Sequence, residues 1–119
     1  MKTTEEKNRM IAEFMGYEMI NDLQFSTPSG GGIFISDLKY HTSWDWLMPV
    51  VRKLKKINSE SKHGLFEKPT DNLNCQMMYE EVEDCLCDLN VENAYNAVCA
   101  MIYWLTKNNR YEEAKSKDC

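Results

Sequence analysis

The longest unbroken apolar stretch in this 119-residue chain, Ala97 to Leu105, is nine residues, about half of the ~18 that a membrane-spanning helix needs. Its opening, Met-Lys-Thr-Thr-Glu-Glu-Lys, has no apolar segment of the secretory kind behind it. Cysteine occurs at Cys75, Cys85, Cys87, Cys99 and Cys119, an odd number with no C-x-x-C pair. Those features fit free thiols in a reducing compartment, and the expected location is the cytoplasm. The spacing of Cys85 and Cys87 is not that of a zinc knuckle, so no metal and no cofactor is expected. A basic excess is also missing: the formal charge of -5 argues against a general nucleic-acid binder, although it leaves room for a local basic patch. No internal repeat is present.

What is present reads as one globular unit. Hydrophobic residues at 43% and charged residues at 28% are ordinary for a folded domain. A chain of this size can bury roughly two-thirds of the surface its unfolded form exposes, enough for one continuous core. We expect a single domain over residues 1–109 and a charged, flexible tail over 110–119.

Four helical stripes organise the domain. Thr3 with Glu6 three residues on makes a capping box, Met10, Ile11, Phe14 and Met15 give one apolar face, and Gly16 is the stop, which predicts helix over 4–15. Ser43 or Thr42 caps the second helix, with Trp44, Leu47, Val51, Leu54 and Ile57 on its inner side. Pro49 either kinks that helix or marks where its regular part begins. Met78, Val82, Cys85, Leu86 and Leu89 form the third stripe, capped by Asn74 or Asn72. Asn90 caps the fourth, whose inner face is Ala94, Tyr95, Val98, Ile102 and Leu105. Cys85 and Cys99 fall on apolar faces and read as small core residues.

Between the first two helices the helical period is lost. Met19 to Phe25 and Ile33 to Ile35 are β-prone and flank the turn-forming run from Ser26 to Gly32, which suggests a hairpin. A further extended piece is expected at Leu38 to His41, and a loop over 58–74 with a short strand at Leu65 and Phe66. The expected fold class is therefore α+β, mostly helical, with about four helices and a small antiparallel sheet.

Three groups of residues invite a functional reading. The glycines of the Ser26–Gly32 run resemble a phosphate loop, but they lead into a strand and no lysine follows them, so a flexible connection is the simpler reading. His41, Ser43 and Asp45 are the residue types of an acyl-transfer triad, yet they are too close in sequence for its geometry and no nucleophile elbow accompanies them. Capping explains Ser43 and Asp45, and packing explains the tryptophans. If displayed, however, Trp44, Trp46 and His41 would make a binding surface. Charge is also segregated. Arg52, Lys53, Lys55 and Lys56 form a basic run, reinforced by Lys62 and Lys68. Glu80, Glu81, Glu83 and Asp84 form an acidic run, continued by Asp88 and Glu92. Solvated helix faces commonly look like this, and Glu80, Glu81, Glu83 and Asp84 are the candidates for contacting a basic partner.

Three segments carry a family resemblance: Asn8 to Tyr17 (NRMIAEFMGY), Tyr40 to Val51 (YHTSWDWLMPVV) and Val91 to Leu105 (VENAYNAVCAMIYWL), which contains a Y-N-A-V…W pattern. Together they cover about a third of the chain. The sequence resembles small uncharacterised proteins encoded by phages and prophages of gut-type bacteria. That resemblance implies an α+β domain, a mobile-element origin and work inside a bacterial host cell. It supplies no activity and no site residues, and the chain departs from the shared pattern between Glu60 and Cys87. The expectation is a non-enzymatic accessory protein that binds a host or phage protein, most concretely a counter-defence inhibitor of the anti-CRISPR kind aimed at a nucleic-acid-binding effector. The rival expectations are a sponge for a nucleotide immune signal, using the glycine loop and the His41–Trp46 segment, and a structural or regulatory phage component.

Overall fold

Residues 3–21, 23–26 and 30–107 are described by the structure, a computed structural model. The expected 110–119 tail, Asn108 and Asn109, and Thr27 to Ser29 of the glycine-rich run lie outside them. The architecture is α+β and mostly helical, four helices with a three-stranded antiparallel sheet.

Helix α1 spans Thr4–Phe14, and Thr3 Oγ1 accepts from the Glu6 amide at 3.2 Å. It ends in a Schellman turn: Tyr17 donates to the Ala12 carbonyl and Gly16 to that of Glu13. Gly16 sits at φ +93°, where a side chain would be strained. Strands β1 (Glu18–Asn21), β2 (Gln24–Ser26) and β3 (Gly32–Phe34) follow in sheet order β1-β2-β3. The expected Met19–Phe25 strand is thus divided. Asn21 Oδ1 accepts from the Leu23 amide at 2.8 Å, an Asx turn that reverses the chain. The pairs Met19↔Phe25 and Phe25↔Ile33 share one sheet face, and Phe25 is fully buried there.

After β3 the chain makes one 3₁₀ turn, Ile35–Asp37, and no strand forms at Leu38 to His41. Leu38 and Tyr40 are instead both buried in a turn that leads into α2 (Trp44–Ser61). Pro49 is accommodated without a break in α2. It lies near the helix start, so only the bond to the Asp45 carbonyl is forfeited. Ser43 occupies the N-cap position but makes no side-chain cap bond. Leu47, Val51, Leu54 and Ile57 are buried as expected; Trp44 is only half-buried. Helix α2 closes on a second Schellman turn, with Leu65 donating to Glu60 and Gly64 (φ +84°) to Ser61.

Helix α3 begins at Pro69 and runs to Cys87, earlier than the expected asparagine caps. Proline at the first helical position loses no hydrogen bond and presets φ, which decides the start. Asn72 serves the preceding segment instead. Its Oδ1 accepts from the Phe66 amide and its Nδ2 donates to the Phe66 carbonyl, both at 3.0 Å. That clasp satisfies the backbone of Phe66, and no strand forms at Leu65 and Phe66. The buried face of α3 is Cys75, Tyr79 and Val82. Leu89 is not part of it. It is 81% exposed at φ +56°, the left-handed residue just past the helix end.

Helix α4 (Val91–Thr106) is capped by Asn90, whose Oδ1 accepts from the Asn93 amide at 3.1 Å. It packs against α1, α2 and α3. All five expected inner residues are buried, joined by Cys99 and Met101.

Unfolding measurements distinguish the two leucines. Leu105→Ala removes a fully buried side chain and is expected to cost ~2–5 kcal/mol. Leu89→Gly should be neutral or stabilising by about 1 kcal/mol, because it relieves left-handed strain and removes no burial. Equal losses in urea melts would mean that Leu89 is core.

Candidate functional site

The turn from Lys39 to Ser43 is held from three sides. Within it, the amides of Thr42 and Ser43 both donate to the Lys39 carbonyl, at 3.2 and 3.0 Å. From α1, Asn8 reaches in with only 3% of its surface exposed. Its Nδ2 donates to the Leu38 carbonyl at 3.3 Å and lies 3.1 Å from His41 Nδ1. An amide donor at Nδ1 makes that nitrogen the acceptor, so this arrangement assigns the His41 proton to Nε2. From α4, the Tyr95 ring lies 6.0 Å from that of His41, and the Tyr95 hydroxyl donates to the Thr4 carbonyl at 3.3 Å. Asn8 Oδ1 is buried with no hydrogen-bond partner among the described residues, a local cost that the fold offsets elsewhere.

No hydrogen bond joins His41 to Ser43 or Asp45 among the described residues. His41 is committed to Asn8, Ser43 sits at the α2 N-cap, and Asp45 is exposed in the first helical turn. Trp46 is half-buried, its ring 5.3 Å from that of Tyr40 and at 89° to it. The two form one corner of a cleft of about 270 Å³, completed by Met15, Tyr17, Asp45 and Pro49. Burial, and then the neighbouring Tyr17, push the Tyr40 phenol far above its ordinary value, so it stays neutral. Two larger clefts, of about 540 and 700 Å³, lie between α1 and α4 and share Glu6, Met10 and Tyr103.

Glu80, Glu81, Glu83 and Asp84 are all exposed on α3. They form a second location, on a different element from His41, Trp44 and Trp46. Leu73 and Met77, 60% and 66% exposed, extend the same face toward the helix start. Leu73, Met77, Glu80, Glu81 and Asp84 recur at three- and four-residue steps, opposite Cys75, Tyr79 and Val82. Beginning α3 at Asn72 or Asn74 hides that continuity in the sequence; the signal that recovers it is Pro69 as first helical residue. The basic run is less uniform than its sequence suggests. Arg52, Lys55 and Lys56 are exposed, whereas Lys53 is half-buried, donates to the Phe14 carbonyl and lies 4.3 Å from the Phe14 ring centre.

The cysteines divide by environment. Cys75 and Cys99 are buried, Cys85 is half-buried and Cys87 exposed. Burial pushes the Cys99 thiol up to about 11, opposed by Tyr95 and Lys7. Burial also raises Cys75, and burial with Glu81, Asp88 and Asp84 raises Cys85. Among the described residues, no group of three or more His, Cys, Asp or Glu is placed to hold a metal ion, and no helix is long and apolar enough to cross a membrane. Comparison of the chain with protein-family models, with curated proteins and with solved structures gave no match.

Two outcomes follow from these environments. Replacing Asn8 with Ala strands the buried Leu38 carbonyl and is expected to cost ~1–3 kcal/mol in chemical denaturation; an unchanged midpoint would deny the amide its bridging role. Iodoacetamide at pH 8 should modify Cys87 first among the described thiols, with Cys75 and Cys99 reacting only on unfolding. Peptide mapping against time reads the order, and early loss of the Cys99 thiol would contradict it.

Proposed function

We propose that this protein acts by binding rather than by chemistry, with the outer face of α3 as its contact surface. The observation that carries this reading is the composition of that face: exposed Leu73 and Met77 run directly into Glu80, Glu81 and Asp84, with Glu83 at the flank. Isolated acidic runs are ordinary solvated surface. An acidic run continuous with two large exposed apolar side chains has the makeup of an interface, an apolar anchor with a charged surround.

The complementary partner is a basic groove with an apolar lip, such as the nucleic-acid channel of an immune effector. With the resemblance to phage and prophage proteins, this makes a counter-defence inhibitor of the anti-CRISPR kind the most concrete role. Its mechanism is occupation of the groove in place of nucleic acid, with on-rate and salt dependence set by the carboxylates. The work would be done inside a bacterial host cell. The nucleotide-sponge alternative draws less support from the aromatic cleft, because the charged group lining it is the carboxylate of Asp45, which repels phosphates.

Affinity capture with tagged protein from cells expressing defence systems, followed by competition, tests this reading. The expected result is recovery of a nucleic-acid-binding effector that added target nucleic acid displaces. Changing Glu80, Glu81 and Glu83 to Gln and Asp84 to Asn should weaken that complex by about tenfold or more, equivalent to about 1.4 kcal/mol or above, and flatten its salt dependence. Leu73→Ser with Met77→Ser should shorten the complex lifetime instead. Inhibition that survives both sets unchanged would remove α3 as the contact surface.

A further inference from the structure

The cleft beside the α2 N-terminus is built from rings. Tyr17 and Trp46, both half-buried, form its walls, and the buried Tyr40 lies at its floor, edge to face with Trp46 at 89°. Met15 adds a polarisable thioether, and Pro49 and Asp45, both exposed, stand at the mouth. Each wall is braced. Tyr17 packs edge-on against the buried Phe25, with ring centres 6.5 Å apart, and Tyr40 is itself buried in the core. The cleft therefore exists before any ligand arrives, which lowers the ordering cost of binding.

Its chemistry selects for positive charge. Aromatic faces carry the negative side of a quadrupole, and several rings around one point attract an organic cation. Asp45 adds a full negative charge and has no ion pair with any described residue. Among the described residues, no lysine or arginine lines the cleft. Lys53, one helical turn beyond Pro49, is turned toward the Phe14 carbonyl and ring. At about 270 Å³ the space lies below the ~300–1,000 Å³ typical of sites for drug-sized ligands, so it suits a head group rather than a whole nucleotide.

We infer that this cleft is a binding site for a methylated ammonium group, held between Tyr17 and Trp46 above the Tyr40 floor, with Asp45 as counter-ion. The group can come from a free small molecule or from a methylated lysine side chain, since both present the same cation. The site is separate from the α3 face, and its occupancy does not depend on that surface having a partner.

Titration of the intact protein followed by amide and indole NMR shifts tests the inference. The probes are tetramethylammonium, choline, a short peptide carrying trimethyllysine, and 3,3-dimethylbutanol, the neutral isostere of choline. The expected result is saturable shifts centred on Tyr17, Tyr40 and Trp46, with at least one cation binding about tenfold or more tighter than the neutral isostere. Tighter binding of choline assigns a free ligand, and tighter binding of the peptide a side chain; either supports the site. Asp45→Asn should weaken the cation several-fold and leave the isostere unchanged, and because Asp45 is exposed the fold should survive the change. Trp46→Leu should abolish binding, with circular dichroism reporting whether the helices persist. Equal affinity for choline and its isostere, shifts centred elsewhere, or no saturable shift at about 50 mM cation would overturn the inference.

Discussion

The other three helices of this fold are placed by the need to cover α4. Its buried residues, Ala94, Tyr95, Val98, Cys99, Met101, Ile102 and Leu105, point in too many directions for one partner helix. A stripe that wide cannot be satisfied by an antiparallel neighbour alone. Helix α3 covers one side, α1 another, and α2 reaches it across the α2–α3 seam. The short sheet has little apolar area of its own to bury. It contributes Phe25 and, through the turn that follows it, Ile35, Leu38 and Tyr40.

Covering α4 with three helices forces α1 and α2 to approach each other across a turn rather than a strand. The Leu38 carbonyl, where that turn begins, is buried and needs a donor from outside the local chain. Asn8 provides one for Leu38 and at the same time fixes the ring of His41. Lys53 does the corresponding service for the C-terminal end of α1, where it donates to the Phe14 carbonyl. The two interactions explain why a polar residue on α1 and a lysine in a basic run are drawn inward. The cleft lies at the same junction, where Met15 and Tyr17 follow α1 and Tyr40, Asp45, Trp46 and Pro49 come from the turn and the start of α2.

Most of the helical framework was legible in the sequence, because period and capping agree there. Thr3, Gly16 and Asn90 bound helices as their chemistry requires, and the inner face of α4 is the one its spacing picks out. The misplacements at helix ends have one physical origin: local signals were outweighed by backbone constraints there. Leu89 continues an apolar period but occupies a left-handed terminal position. Asn72 resembles a cap but binds Phe66, while Pro69 sets the start of α3. Trp44 continues the α2 stripe, yet it stands at the helix start and remains half-buried. The candidate residues were legible only as types. That Trp46 would stand at right angles to Tyr40, or that Tyr17 would join them, depends on long-range packing that no local pattern encodes.

The contact surface proposed on α3 would come at little cost to the fold. Burial of Cys75, Tyr79 and Val82 secures the helix against α2 and α4 whatever occupies its outer side. Leu73 and Met77 add nothing to that core, and four neighbouring carboxylates on one helix repel each other by a few tenths of a kcal/mol per pair. Proline at the first turn, with Asp71 favourable to the helix dipole, offsets part of this repulsion. A helix held by its inner residues and its N-terminus is free to vary the outer face, so selection on a partner can act there without passing through stability.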